Sequence, residues 1–219
     1  AKVDSSCGLH IHVGVKGMTQ GEDIDQAIET VLRTMKFANS IKTTIFAQSG
    51  STNRYLKHSY ARPNVNKTLA EREARERRVP IFNGSKFTFL NTHRTRSNGV
   101  TSNKATIEFR AFAGTTNYAK VLNHLLTAFV CVHGGMTSKR ASWNGKFATA
   151  DKGVEAFDSF ARTMTSKKKR KELFNLFPTF VENKRAMFAI GRKMAKKFTT
   201  NIRRAVTSSH NTLDLTRFV

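Results

Sequence analysis

A single carboxylate, Glu108, stands in the run Thr106-Ile107-Glu108-Phe109-Arg110, and no other Asp or Glu occurs between Glu76 and Asp151. The run is β-branched and aromatic, so it reads as a strand whose successive side chains leave opposite faces. Ala105, Ile107, Phe109 and Ala111 then share the core face, and Glu108 and Arg110 project together from the other. In a chain of net charge +23, an acid placed there needs a reason. Two readings are open. The pair is part of a cross-strand ion pair on an exposed face, or it is a carboxylate and a guanidinium held side by side for a metal ion and an anionic phosphate.

A second strand is written near the start. Cys7, Leu9, Ile11, Val13 and Val15 alternate with Gly8, His10, His12 and Gly14, which puts both histidines on one face. The i, i+2 spacing of His10 and His12 is a common metal-ligand geometry on a strand, and equally that of a surface or hydrogen-bonded histidine pair. A helix is predicted from Gly21 to Asn39, with Glu22, Asp23 and Asp25 at its positive end. Ile24, Ala27, Ile28, Val31, Leu32, Met35 and Ala38 form its buried stripe.

Thr68 to Arg78 predicts a solvated surface helix, with a capping box at Thr68 and Glu71 and the pairs Glu71–Arg75 and Glu73–Arg77. Lys86 to Asn91 reads as a strand that could form a hairpin with the Glu108 strand across a polar loop, Arg94 to Lys104. Tyr118 to His133 is an apolar-striped helix that Gly134-Gly135 ends. Beyond Trp143 the chain is helical and basic, with Val154, Phe157, Phe160 and Ala161 in one helix and a continuous basic run from Lys167 to Lys171. A last helix runs from Glu182 to Val206, with Met187, Ile190, Met194, Phe198 and Ile202 on one side.

The 219 residues, 39% hydrophobic with seventeen Phe, can bury a substantial core. Cys7 and Cys131 form no disulfide framework or zinc spacing and read as reduced core residues. No apolar run spans a bilayer and no secretory signal is present, so the expected location is the cytoplasm or the inside of a phage or virus particle. Ala1 in place of Met suggests proteolytic maturation or a missing beginning. The charge implies an anionic partner: nucleic acid, an anionic membrane surface or a nucleoprotein particle.

Taken in order, Cys7-Gly8-Leu9-His10-Ile11-His12-Val13, an amphipathic helix, Tyr60-Ala61-Arg62-Pro63 and Thr106-Ile107-Glu108-Phe109-Arg110-Ala111-Phe112-Ala113-Gly114-Thr115 resemble the amidoligase family. These are relatives of glutamine synthetase and glutamate–cysteine ligase, and the resemblance runs from about Ser6 to His133. It implies an α+β fold in which a curved antiparallel sheet binds ATP and Mg²⁺ on its concave face. It also implies activation of a carboxylate as an acyl phosphate, which an amine then displaces. By the resemblance Glu108 and Arg110 are catalytic, His10 and Glu108 are metal ligands, and His12, Arg110 and Arg62 contact nucleotide or substrate. Asn91 is a further candidate. Related ligases carry a Glu-x-Glu strand upstream of the His-x-His block, and the chain is expected to lack it.

On this reading residues 1–135 form an amidoligase-like domain and residues 136–219 a basic, mainly helical extension. The apolar stripe of the last helix is expected to dock on its own domain or on a protein partner. Its basic face fits nucleic acid, without a base-reading motif, or an anionic membrane. Two functions follow: an ATP-dependent amidoligase acting on a peptide or amino acid, and a structural component of a nucleoprotein or virion assembly that keeps the fold.

Overall fold

The computed structural model describes residue 3 and residues 7–14, 24–52, 55, 88–91, 96–97, 100–101, 106–137, 150–164 and 178–208. Their elements are β1 (Gly8–Gly14), α1 (Ile24–Ser40), α2 (Lys42–Ser49), β2 (Leu90–Asn91), β3 (Arg96–Ser97), β4 (Val100–Thr101) and β5 (Thr106–Ala113). Helices α3 (Tyr118–Thr137), α4 (Ala150–Met164) and α5 (Pro178–Ser208) follow. The architecture is mixed α+β. β5 is the middle strand of an antiparallel sheet, flanked by β1 and β2, and the sheet is neither closed nor strongly curled. The expected α+β class and antiparallel sheet are thus present among the described residues.

The pairing of β2 with β5 realises the expected hairpin, with Leu90 opposite Phe109 and Asn91 opposite Glu108. The stretch Arg94 to Lys104, expected as loop throughout, contains the short β3–β4 ladder, in which Ser97 pairs with Val100. The expected helix from Thr68 to Arg78 lies outside the described residues.

Simple alternation fails in the second half of β5. Leu9 pairs with Phe112 and Ile11 with Phe109, so His10 alone stands opposite both Arg110 and Ala111. The extra residue is a β-bulge, which shifts the phase of the strand by one. Without it Phe112 would turn to the side of Glu108. With it Phe112 faces the core beside Phe109, both fully buried with ring centroids 6.4 Å apart. Burying one such ring is worth about 1.5–3 kcal/mol, which is reason enough for the bulge.

Helices α2 and α3 lie against the sheet, α1 packs on α3, α5 packs on α2 and α3, and α4 packs on α2 and α5. The stripe expected for α1 is buried at Ala27, Ile28, Val31, Leu32 and Ala38. The predicted start, Gly21 to Asp23, is outside the described residues. α2 was not foreseen. It ends in a left-handed residue, Gly50 (φ 66°), with Gly50 N–H donating to Ala47 O and Ser51 N–H to Phe46 O, both at 3.1 Å. That is the Schellman arrangement, and it favours glycine because a Cβ is strained at positive φ. Cys131 is buried as expected, whereas Cys7 is exposed.

α3 is capped by Asn117, whose Oδ1 accepts the Lys120 N–H at 3.0 Å. It does not stop at Gly134-Gly135 but continues to Thr137. The two glycines instead form the crossing with α1. A Cβ on Gly135 would lie 2.7 Å from the backbone nitrogen of Thr34, and one on Gly134 would lie 3.2 Å from the Phe37 ring. Backbone cannot yield as a side chain can. Gly135→Ala should therefore destabilise by about 3 kcal/mol despite the better helix propensity of Ala, and Gly134→Ala by less. Urea midpoints check this, and a Gly135→Ala variant as stable as the parent would contradict the crossing.

The apolar side of α5 is docked on the rest of the fold: Met187, Phe188, Met194, Ala195 and Phe198 are buried, and Tyr55 meets Phe198 edge-on at 5.3 Å. Val154, Phe157 and Ala161 do the same for α4. A buried polar chain joins these helices. Thr127 Oγ1 donates to Gln48 Oε1 (2.8 Å), Gln48 Nε2 to Asp158 Oδ1 (3.4 Å), and Arg192 Nη1 to Asp158 Oδ2 (3.1 Å). No helix among the described residues is long and apolar enough to cross a membrane.

Candidate active site

The register of the sheet builds a row of three side chains across it. His12 is opposite Glu108 on one side, and Asn91 is opposite Glu108 on the other. Paired residues on neighbouring strands share a face, so the three side chains lie together at the sheet centre. Two residues along β5, Arg110 joins the same face, and the bulge opposite His10 keeps that imidazole within reach.

Glu108 is only 4% exposed. Its Oε1 accepts from Arg110 Nη1 at 2.9 Å and lies 2.9 Å from His10 Nδ1. Its Oε2 accepts from Asn91 Nδ2 at 2.9 Å. An ionised carboxylate only accepts, so His10 presents its Nδ1 proton to it. His12 stands farther off, with Nε2 3.7 Å from Oε1, and its Nδ1 is 2.9 Å from Thr106 Oγ1. Both imidazoles are about one-third exposed, whereas the Arg110 side chain is 16% exposed. The site is thus a buried anion with a half-open rim of imidazole and guanidinium.

The burial of Glu108 bears on the first reading of the Glu108–Arg110 pair. The pair is not a cross-strand ion pair on an exposed face: its members are two residues apart on one strand, and the acid is buried. Isolating such a charge costs several kcal/mol unless charge-assisted hydrogen bonds compensate, and Glu108 has three close donors.

Glu108, Arg110, His10 and His12, separated by about a hundred residues, come together as expected, and so does Asn91. Arg62 lies outside the described residues. Thr106 was missed. Its signal was available, since it shares a face with Glu108 at the i, i+2 spacing of a strand.

The donor set does not fit a magnesium ion. Mg²⁺ requires oxygen ligands in near-octahedral arrangement. Among the described residues there is one carboxylate here, already in contact with Arg110, His10 and Asn91, beside two imidazoles. A cation on Oε1 would also sit against the Arg110 guanidinium. Among the described residues no group of three or more His, Cys, Asp or Glu is arranged to hold a metal ion.

The fold and this site define an α+β protein whose sheet centre carries a carboxylate–imidazole–guanidinium cluster built from the His-x-His and Thr-Ile-Glu-Phe-Arg blocks. The family model described as "Putative amidoligase enzyme" matches residues 1–129, and the chain belongs to that family. No curated protein and no solved structure matches it.

Proposed function

We propose that the chain is an ATP-dependent carboxylate–amine ligase acting on an amino acid or peptide. One observation carries this reading: Glu108, on the middle strand of the sheet and within the matched region, gathers His10, Arg110 and Asn91 onto a single buried carboxylate. In the reaction a substrate carboxylate oxygen attacks the γ-phosphorus of ATP and ADP leaves. The amine nitrogen then attacks the acyl carbon, phosphate departs, and the nitrogen loses a proton. Arg110, oriented by Glu108, offsets negative charge building on the transferred phosphoryl group. His12 and Arg62 contact the nucleotide or the anionic substrate. Glu108 acts by fixing Arg110 and His10, and no step is assigned to a metal held by these residues.

Release of ADP and phosphate, measured with Mg-ATP and a panel of amino-acid and peptide carboxylates and amines, tests the proposal. Glu108→Gln keeps the volume and a hydrogen bond to Asn91 but loses the charge that orients Arg110. It should lower turnover by about a hundredfold, the effect typical of losing one aimed charge stabiliser. Turnover unchanged in Glu108→Gln would remove Glu108 from the mechanism. Failure of the complete protein to bind Mg-ATP would overturn the ligase reading itself.

A further inference from the structure

The exposed side of α5 has no use in the ligase site. From Glu182 to Asp214 the sequence contains no acid between those two residues, although it contains eight Lys and Arg. Arg185, Lys193, Lys196, Lys197, Arg203 and Arg204 are all exposed, and none has an ion-pair partner among the described residues. Arg192 differs, because it reaches Asp158. At about 100° per residue the six fall into two rows along the helix. Arg185, Lys196 and Arg203 form one and Lys193, Lys197 and Arg204 the other, over an axial length of about 28 Å. Ala189, Thr200 and Thr207 lie exposed between the rows.

Such a face is unfavourable for an isolated helix. Lys193 and Lys197 are like charges at i, i+4, and Lys193 and Lys196 at i, i+3, and each pair destabilises by about 0.2–0.5 kcal/mol. Solvated helices normally interleave acids, as α4 does with Lys152 and Glu155 at 3.5 Å. A bound polyanion turns that repulsion into attraction.

Two polyanions fit by sign, and the geometry separates them. A membrane-surface helix inserts its apolar side into lipid. The apolar side of α5 is already buried in the fold, and its exposed side between the cation rows is small and polar. A single-stranded nucleic acid is held by aromatic rings that stack on its bases. Among the α5 residues whose side chains are described, the aromatics Phe188 and Phe198 are both buried. A two-row cation surface with no exposed aromatic among its described side chains matches the phosphates of a duplex.

We infer that the exposed face of α5 binds the phosphate backbone of double-stranded nucleic acid without regard to sequence. This is independent of the ligase reading, since none of its residues belongs to the Glu108 cluster.

The test is binding of the full chain to a fluorescent 25-base-pair DNA duplex, followed by anisotropy across a range of NaCl concentrations. Six phosphate contacts give a slope of log K against log salt of up to about −5. The combined substitution Lys193→Gln, Lys196→Gln and Arg203→Gln should roughly halve that slope and weaken binding at least tenfold at low salt. A variant with Lys36→Gln and Lys152→Gln removes charge elsewhere on the surface and should keep the parental slope. A duplex of scrambled sequence should bind equally well.

Losses in the two variants in proportion to the charges removed, three against two, would show a diffuse effect of net charge and overturn the assignment to α5, as would a slope unchanged by the triple substitution. Vesicles of phosphatidylserine and phosphatidylcholine should bind more weakly than the duplex, and tighter binding to them would replace nucleic acid with a lipid surface. Circular dichroism of the triple variant should match the parent, because its three side chains are exposed and have no ion-pair partner among the described residues.

Discussion

Arg110→Ala should destabilise the protein by about 3–5 kcal/mol, the range for breaking a buried ion pair from one side. The carboxylate of Glu108 stays where the sheet has put it, without the cation that compensates its burial. His10 and Asn91 remain on it at 2.9 Å, and neither brings a permanent charge. Arg110→Lys should fall between, since it restores the charge but not the fork that a guanidinium offers.

The decisive comparison is the double variant Glu108→Gln with Arg110→Ala. If the loss comes from an uncompensated buried charge, neutralising Glu108 should recover most of it, so the two substitutions should be strongly non-additive. Urea denaturation of the four proteins measures the coupling. A loss below about 1 kcal/mol in Arg110→Ala would mean that the carboxylate is not held by Arg110. Because turnover and stability would be measured on the same variants, a positioning role for Glu108 separates from a merely structural one. Glu108→Gln keeps an acceptor for Arg110, whose side chain is partly exposed, so it should cost less stability than Arg110→Ala while lowering turnover about a hundredfold.

The residues that were easiest to read from the sequence are those whose periodicity has one cause. His10 and His12 alternate with Ile11 and Val13 because one face of β1 is buried, and α1 shows its stripe because one side packs on α3. The last helix was legible for the same reason, down to Met187, Met194 and Phe198 on its docked side. The cluster around Glu108 was legible in part, through the order of two blocks rather than through spacing. That Asn91 and His12 would stand in one row with Glu108 follows from strand register, which sequence alone does not fix.

Elsewhere two causes overlap and the pattern is lost. α2 buries Thr44, Gln48 and Ser49 as well as Ile45, Phe46 and Ala47, so no polar side marks it as amphipathic. Its polar residues are tolerated because partners arrive from far along the chain, as Thr127 and Asp158 do for Gln48. The bulge in β5 broke the expected alternation at Phe112 because one residue of β1 answers two of β5. Gly134-Gly135 looked like a stop because glycine ends helices more often than it crosses them. The space at Thr34 that requires Gly135 belongs to another helix.

His124→Leu should make the protein less sensitive to acid. His124 lies on α3, 1% exposed, with its ring parallel to that of Phe112 at 4.8 Å. Neither ring nitrogen has a hydrogen-bond partner among the described residues. Burial, helped by the positive charge of Lys120, pushes its pKa down to about 3. In the unfolded chain a histidine titrates near 6.5, so above that pH both states are neutral and the full stability is present. As pH falls below 6.5 the unfolded state takes up a proton that the folded state refuses. Stability is then lost at up to about 1.4 kcal/mol per pH unit until the folded pKa is reached. Over the interval from about 6.5 to about 3 the loss sums to roughly 5 kcal/mol. Leucine has nearly the volume of histidine and nothing to protonate. At pH 7.5 the variant should be at least as stable as the parent, because an unpaired buried donor costs about 1–3 kcal/mol and the leucine has none. Urea midpoints at pH 7.5, 6, 5 and 4 should diverge steadily in favour of His124→Leu, whatever the other histidines contribute to both proteins. Parallel curves would mean that His124 finds a proton partner in the folded state and is not buried neutral against Phe112.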